Sequence, residues 1–154
     1  MGTSVRAARA ALHFWEEPCI SGEQGSGAVF FSGCQLKCVF CQNRSISHEC
    51  AGVDITDERL AEIFFELYRS GANNINLVSA SHFVPSVINA IEIVKKQGFS
   101  VPFVYNSSGY ESVETLRMLD GYIDIYLPDF KYMSSDYAKK YSAAENYPDA
   151  AKKA

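Results

Sequence analysis

The residues best suited to chemistry are three cysteines, Cys34, Cys38 and Cys41, in the segment "CQLKCVFC". Thiolates are soft ligands that select zinc, copper(I) or iron-sulfur clusters. Zinc needs a fourth ligand, which His48 or Cys50 could supply, although the triplet has no matching second pair of cysteines. A cluster of several irons suits the triplet better, because each thiolate can bind a separate iron and leave one iron without a protein ligand. An open metal position of that kind is what catalysis requires.

The composition around this triplet indicates one globular domain of a cytoplasmic protein. The chain has 154 residues, 47% of them hydrophobic, and a net charge of -4, so nucleic acid is not an expected partner. No apolar stretch approaches the length of a membrane span, and the N-terminus lacks the continuous apolar core of a signal peptide. Five cysteines with three in one cluster do not resemble a secreted disulfide framework, so Cys19 and Cys50 are predicted to be buried or incidental thiols.

Strands and helices alternate along the chain and must position the cysteines. Apolar runs predict strands at residues 28–31, 74–78, 101–105 and 122–127. A helix follows each of the last three strands, and another lies between the cysteine segment and the second strand. The clearest helix begins at the N-cap Thr56 and ends at Gly71, and the second is opened by Pro85 and ends at Gly98. This alternation predicts an α/β fold of four βα units with a parallel sheet.

Polar residues gather directly after the predicted strands. The cysteines follow the first strand, "SASH" the second, "NSSG" the third and "PDFK" the fourth. Loops after parallel strands lie at the carboxyl edge of the sheet, where α/β proteins bind ligands and perform chemistry. The four segments are therefore expected to converge on one site.

The cysteine motif resembles that of the radical S-adenosylmethionine (SAM) enzymes. Their pattern, CxxxCx(aromatic)C, is met by Cys34, Cys38, Phe40 and Cys41 after the first strand. The segments "LHFWEEPCISG", "CVFCQN", "HFVP", "VYNSSGYESVETL" and "DIYLPDFKY" resemble the branch of pyruvate formate-lyase activating enzyme-like proteins. The resemblance implies a parallel-stranded partial (β/α) barrel.

Residues 28–154 would then form the radical SAM core, and residues 1–27 an N-terminal extension. Family members have about six βα units, compared with eight in a full barrel, so the C-terminal barrel units are expected to be missing here. The last strand, at residues 122–127, would then be an apolar edge strand.

The resemblance also implies the cofactors and the partners. A [4Fe-4S] cluster would be held by the three cysteines, with SAM on the fourth iron, and an electron from the reduced cluster would cleave SAM to give a 5'-deoxyadenosyl radical. The partner would be a glycyl radical enzyme or another protein substrate, with an electron donor such as flavodoxin or ferredoxin. No catalytic side chain is assigned, because the difficult chemistry is the cofactor's. The alternatives are a non-catalytic iron-sulfur or zinc binding module and an inactive truncated remnant.

The resemblance places a set of side chains around SAM: Phe40, Ser79, Ser81, Asn106, Ser108, Asp129 and Lys131. The family's Gly-Gly-Glu motif, which receives the SAM amino group, aligns with residues 79–81, where the glutamate is absent. Neutral hydroxyl and carbonyl acceptors bind an ammonium more weakly than a carboxylate does. Asp129 and Lys131 match an Asp-x-Lys pattern, for which a surface ion pair is the equally weighted alternative. His82 either lines the pocket or forms a structural hydrogen bond.

Overall fold

The computed structural model, which describes residues 4–154, contains one six-stranded sheet. In chain order its strands are Val5–His13 (β1), Ser26–Phe31 (β2), Val53–Ile55 (β3), Ile75–Val78 (β4), Phe103–Ser107 (β5) and Ile125–Pro128 (β6). Across the sheet the order is β3-β1-β2-β4-β5-β6. Strands β2, β4, β5 and β6 run parallel, as predicted. Strand β1 runs antiparallel to both of its neighbours, β2 and β3.

The parallel half of the sheet confirms the predicted fold class, whereas β1 and β3 were not predicted. Strand β1 contains two arginines and four alanines, so its apolar alternation is weak. Long-range pairing holds it, since the Arg6 guanidinium forms an ion pair with Asp54 of β3 at 3.0 Å. Strand β5 also begins two residues later than predicted, at Phe103, whose N–H donates to the Asp124 carboxylate at 2.8 Å.

The helices of the structure are Pro18–Ser21 (α1), Arg44–Ser47 (α2), Asp57–Arg69 (α3), Val84–Lys96 (α4), Val113–Met118 (α5), Ser135–Ser142 (α6) and Tyr147–Lys153 (α7). The predicted cap of α3 is confirmed, because the Arg59 N–H donates to Thr56 Oγ1 at 3.2 Å. Apolar residues of α3 and α4 pack on one face of the sheet and form the main core together with Val29, Leu77 and Phe103. Within residues 4–154, none of the helices has the length and apolar character that crossing a membrane requires.

The opposite face of the sheet is crossed by the segment that follows β1. One carboxylate oxygen of Glu16 accepts hydrogen bonds from the amides of Asn76 at 2.8 Å and Asn106 at 3.2 Å. Asn74 donates to the Ile20 carbonyl at 2.8 Å in the same region. The crossing segment therefore pairs the side-chain NH2 groups of Asn74 and Asn76, while the Oδ1 atoms of both residues are buried without a partner among the described residues.

A second, smaller core lies beside the carboxyl edge of the parallel strands. The helix predicted from Ser135 onward ends at Ser142, because Ala143 adopts a left-handed conformation with φ 55°. Helices α6 and α7 then pack on the cysteine segment, and the buried members of this second core are Leu36, Cys38, Ala138, Ala144 and Tyr147. Strand β6 lies at the end of the sheet with Tyr126 43% exposed, as expected for an edge strand.

Candidate functional site

The cysteine segment leaves β2 through a sharp turn and folds back on α2. Gly33 has φ +81°, a conformation that L side chains rarely adopt, so glycine is required there for its backbone rather than for space. The Gly33 N–H donates to the Ile46 carbonyl and the Cys34 N–H to the Ser47 carbonyl, both at 3.0 Å. These bonds fix the entrance of the segment. Its other end is tightened by a bond from the Cys41 N–H to the Cys38 carbonyl at 3.2 Å.

The middle of the segment is attached to the end of α6. The Lys37 N–H donates to the Ser142 carbonyl and the Val39 N–H to the Tyr141 carbonyl, both at 2.9 Å. The carbonyls at the C-terminus of α6, which have no partner within the helix, thereby find donors in the cysteine segment. The cysteine backbone is thus held from two sides, by α2 and by α6.

The predicted site residues meet around one cavity of about 420 Å³ at the carboxyl edge of the parallel strands. Its wall includes all three cysteines of the triplet and residues from the ends of β4, β5 and β6. The predicted members of this wall are Cys34, Cys38, Phe40, Cys41, Ser79, Asn106, Ser108, Asp129 and Lys131. Ser81 and His82 lie instead in a narrow recess beside it, which Cys34 and Ser79 also line. The expected convergence of four loops is therefore present.

The thiols interact electrostatically within this cavity. Burial raises the pKa of the Cys34 thiol, and the neighbouring Cys38 and Cys41 raise it further, while a backbone hydrogen bond at Leu36 acts in the opposite direction. Three thiolates on one cavity wall need a compensating cation, and a coordinated metal deprotonates thiols outright. In residues 4–154, no three His, Cys, Asp or Glu side chains converge closely enough to hold a single metal ion. Three thiolates on one wall could each bind a separate iron of a multi-iron cluster.

Two buried serines contact the cysteine sulfurs, and neither was predicted from the sequence. Ser142 Oγ donates to Cys38 Sγ at 2.9 Å, and Ser47 Oγ lies 3.2 Å from Cys41 Sγ. His48 Nδ1 contacts Ser47 Oγ at 2.8 Å, so His48 reaches the triplet only through this serine. Ser142 lies 104 residues from Cys38, and no local pattern could have linked them.

The segment after β4 contacts a carboxylate, that of Glu111, from a distant part of the chain. Ser79 has φ 60°, a left-handed conformation that is strained for a residue with a side chain. Ser81 Oγ donates to the Glu111 carboxylate, and the Tyr105 hydroxyl lies 3.4 Å from the same Ser81 oxygen. Glu111 is only 6% exposed, and burial raises its pKa, against the hydrogen bonds from Ser81 and Tyr105. Sequence reasoning missed Glu111, since it comes 30 residues after Ser81.

Lys131 supplies the positive charge of the cavity. Its ammonium forms an ion pair with the Asp129 carboxylate. Burial works against the charged form, but the hydrogen bond and the charge of Asp129 outweigh it, so the pKa of Lys131 is raised and the ammonium persists. The Lys131 side chain is 23% exposed and the Asp129 side chain is 63% exposed, so the pair is shielded at its lysine end and open to solvent at its aspartate end.

A buried tyrosine joins the loops that follow β5 and β6. Tyr147 accepts from the Lys131 N–H at 2.8 Å and donates to the Ser108 carbonyl at 2.7 Å, with the Asp129 carbonyl at 3.1 Å. Tyr147 is fully buried and packs in the second core beside Cys38. It therefore sets the spacing of two walls of the cavity without lining it.

The remaining cysteines lie away from this wall. Cys19 and Cys50 are both exposed, so of the two predicted descriptions, buried or incidental thiols, the structure leaves the second, and neither residue lines the cavity. The Cys50 carbonyl accepts from Arg6 Nε at 2.8 Å, which ties its backbone to β1. The structure therefore brings neither Cys50 nor His48 into a fourth ligand position beside the triplet.

Comparison with known proteins places most of the chain in one group of sequences. The sequence profile of the Radical SAM superfamily matches residues 28–154. An uncharacterized protein from Methanocaldococcus jannaschii is 30% identical over 151 residues, which represent 92% of this chain and 43% of that relative. The chain thus spans less than half the length of the relative that it matches.

Proposed function

Because the chain belongs to the Radical SAM superfamily, whose cofactors are a [4Fe-4S] cluster and SAM, we propose that the cavity at the cysteine segment holds both and supports radical enzymology. The observation that carries this proposal is the shared wall. Three buried or half-buried thiols, an aromatic ring and an ion pair line one cavity large enough for a small-molecule cofactor. When bound, the cluster and SAM supply reductive cleavage of the sulfonium and hydrogen-atom abstraction from a substrate.

The cysteines hold three irons of the cluster in this proposal. Cys34, Cys38 and Cys41 come from one short loop whose backbone is fixed by α2 and α6, so the backbone that carries the ligands is already ordered by protein contacts. Two of the three thiols contact a serine hydroxyl, which stabilises the thiolate form needed for coordination. No fourth cysteine of the described residues lines the cavity, which leaves room for a non-protein ligand.

The polar ends of β4, β5 and β6 position SAM. Lys131 offers a cation to the SAM carboxylate, while Asn106, Ser108 and Asp129 offer uncharged and anionic acceptors to its amino and ribose groups. Phe40, which is 58% exposed beside the cysteines, presents an aromatic surface to the adenine.

The missing glutamate of the segment after β4 has a structural counterpart. Ser79 and Ser81 are neutral acceptors, but Ser81 donates its proton to the Glu111 carboxylate and accepts from the Tyr105 hydroxyl at 3.4 Å. One lone pair of the Ser81 oxygen is left to accept from an ammonium in the recess beside the cavity. A cluster-binding module without radical chemistry is favoured by the absence of an acidic residue at 79–81. The carboxylate of Glu111 behind Ser81 weakens that alternative.

The finer assignment is an activase that generates a glycyl radical on a partner enzyme. Its support is the similarity of the segments around the cysteines to activating enzymes. Val39 and Phe40 are exposed apolar residues next to the cysteine ligands, and they offer a contact surface to a partner protein or to an electron donor such as flavodoxin or ferredoxin. A cytoplasmic location belongs to the same proposal, because free thiols and a reduced cluster require a reducing compartment.

Anaerobic reconstitution with iron and sulfide tests the cofactor assignment. We expect a cluster whose reduced electron paramagnetic resonance signal changes when SAM is added. Cys38→Ala should abolish cluster formation, whereas the matched variant Cys50→Ala should retain the iron and sulfide content of the wild type, because Cys50 lies outside the cavity. Equal losses in both variants would show that the ligand assignment is wrong. A colourless protein with stoichiometric zinc would favour the binding-module alternative.

A further inference from the structure

We propose that Ser142 and Tyr132 form a hydrogen-bond relay to the Cys38 sulfur that raises the reduction potential of the bound cluster. The inference rests on the proposed role of Cys38 as a cluster ligand. It concerns residues outside the cysteine motif, contributed by the C-terminal part of the chain. Ser142 and Tyr132 act here as positioning residues, since neither lines the cofactor cavity.

The direction of the relay follows from the groups that form it. Ser142 Oγ lies 2.9 Å from Cys38 Sγ, and Tyr132 Oη lies 2.7 Å from Ser142 Oγ. A coordinated cysteine is a thiolate without a proton, so the serine hydroxyl must donate to the sulfur. The Ser142 oxygen is then left as an acceptor, and the tyrosine hydroxyl donates to it. Each bond polarises the next, which strengthens the donation to sulfur.

The inner part of the relay is buried. Ser142 is 0% exposed and Cys38 is 7% exposed, whereas Tyr132 is half-buried. The carbonyl of the same Ser142 accepts from the Lys37 N–H at 2.9 Å, so one residue fixes both the backbone of the cysteine loop and the sulfur within it. Cys38 packs with Ala138 and Tyr147 in the second core. Because water has little access, a hydrogen bond there acts at low dielectric and has a larger electrostatic effect than at the surface.

The three cysteine sulfurs have different hydrogen-bond donors, and this difference distinguishes Cys38 from the other two. Cys41 has a second relay from Ser47 and His48, with the longer distance of 3.2 Å between the serine oxygen and the sulfur. Cys34 has a backbone hydrogen bond at Leu36. Hydrogen bonds to ligand sulfurs stabilise the extra negative charge of a reduced cluster and are one of the factors that set its potential. The shortest serine donor therefore identifies Cys38 as the sulfur most strongly affected.

The test compares midpoint potentials in the reconstituted full chain, titrated with dithionite and followed by electron paramagnetic resonance. Ser142→Ala should shift the midpoint to more negative values, by about 59 mV if reduction becomes tenfold less favourable in a one-electron couple. Tyr132→Phe should shift it in the same direction by a smaller amount, because the serine donor remains. Ser135→Ala removes an exposed hydroxyl from the same helix and should leave the potential unchanged.

Iron and sulfide content is measured in each variant to separate a loss of the cluster from a shift of its potential. If Ser142→Ala carries a full cluster at the wild-type potential, the relay is refuted. If Ser142→Ala assembles no cluster, Tyr132→Phe decides, and an unchanged potential there refutes the relay. A wild-type chain that assembles no cluster refutes the proposed ligand set itself, and this inference with it.

Discussion

Replacement of Tyr147 by phenylalanine tests how the second core supports the cofactor cavity. The hydroxyl of Tyr147 accepts from the Lys131 N–H at 2.8 Å and donates to the Ser108 carbonyl at 2.7 Å. Phenylalanine keeps the ring and its packing but removes both bonds. The Lys131 N–H and the Ser108 carbonyl then lose a partner in a region shielded by α7, and an unpaired buried group costs about 1–3 kcal/mol.

The expected loss is about 2 kcal/mol of unfolding free energy, since one donor loses its acceptor and one carbonyl loses its donor. For a chain of this size the loss corresponds to a decrease of about 4–8 °C in the melting temperature. Thermal unfolding followed by circular dichroism measures it. Tyr137→Phe is the matched control, because Tyr137 is 60% exposed on α6 and its hydroxyl should contribute less than about 0.5 kcal/mol.

The same substitution should also weaken SAM binding while the cluster remains. Lys131 and Ser108 both line the cavity, whereas the cysteine backbone is fixed by α2 and α6. Iron content is therefore expected to match the wild type, and SAM affinity, followed by equilibrium dialysis, to fall severalfold. Equal melting temperatures in Tyr147→Phe and Tyr137→Phe would refute the argument that the buried hydroxyl holds the two loops together.

Three further changes probe separate features of the fold. Burial raises the pKa of Glu111 above its ordinary 4.5, so folding favours the protonated carboxyl and the free energy of unfolding falls as pH rises from 4.5 through the folded pKa. Urea denaturation between pH 4.5 and 8 should therefore show a smaller fall in Glu111→Gln, whereas the exposed control Glu23→Gln should follow the wild type. Gly27→Ala would place a Cβ 2.9 Å from the Leu67 Cβ, and we expect a loss of about 1–3 kcal/mol in urea denaturation; an unchanged midpoint would contradict this close contact. Thr56→Ala should cost about 1 kcal/mol by removing the cap of α3, whereas Thr56→Ser should retain most of it; equal stability of the two variants would argue against the cap.

The sequence predicts those parts of the fold whose pattern of apolar and capping residues is local. The four parallel strands are apolar runs bounded by glycine, proline or polar residues, and the cap and apolar face of α3 repeat at helical spacing. Strands β1 and β3 were not predicted, because their stability comes from partners distant in sequence. Arg6 pairs with Asp54, 48 residues away, and neither residue suggests a strand by itself.

The candidate site likewise has parts that a local motif predicts and parts that it does not. The cysteine triplet is a local motif, and the polar loops after each strand could be assigned to one sheet edge from topology alone. The groups that modify those residues come from elsewhere: Ser142 is 104 residues from Cys38, and Glu111 is 30 residues from Ser81. Their hydroxyl and carboxyl groups are common in surface positions, so only burial and proximity in the folded chain identify them.

Metal binding and folding of the C-terminal helices should be coupled in this protein. The cysteine segment has little core of its own, because Leu36 and Cys38 are buried against α6 and α7 rather than against the sheet helices. Its backbone donors at Lys37 and Val39 are satisfied by the end of α6. A ligand that fixes the thiols therefore also fixes the surface on which these two helices pack, and part of the binding free energy becomes folding free energy. The second core thus holds the loop in place, and a cluster bound to these thiols would in turn stabilise the second core.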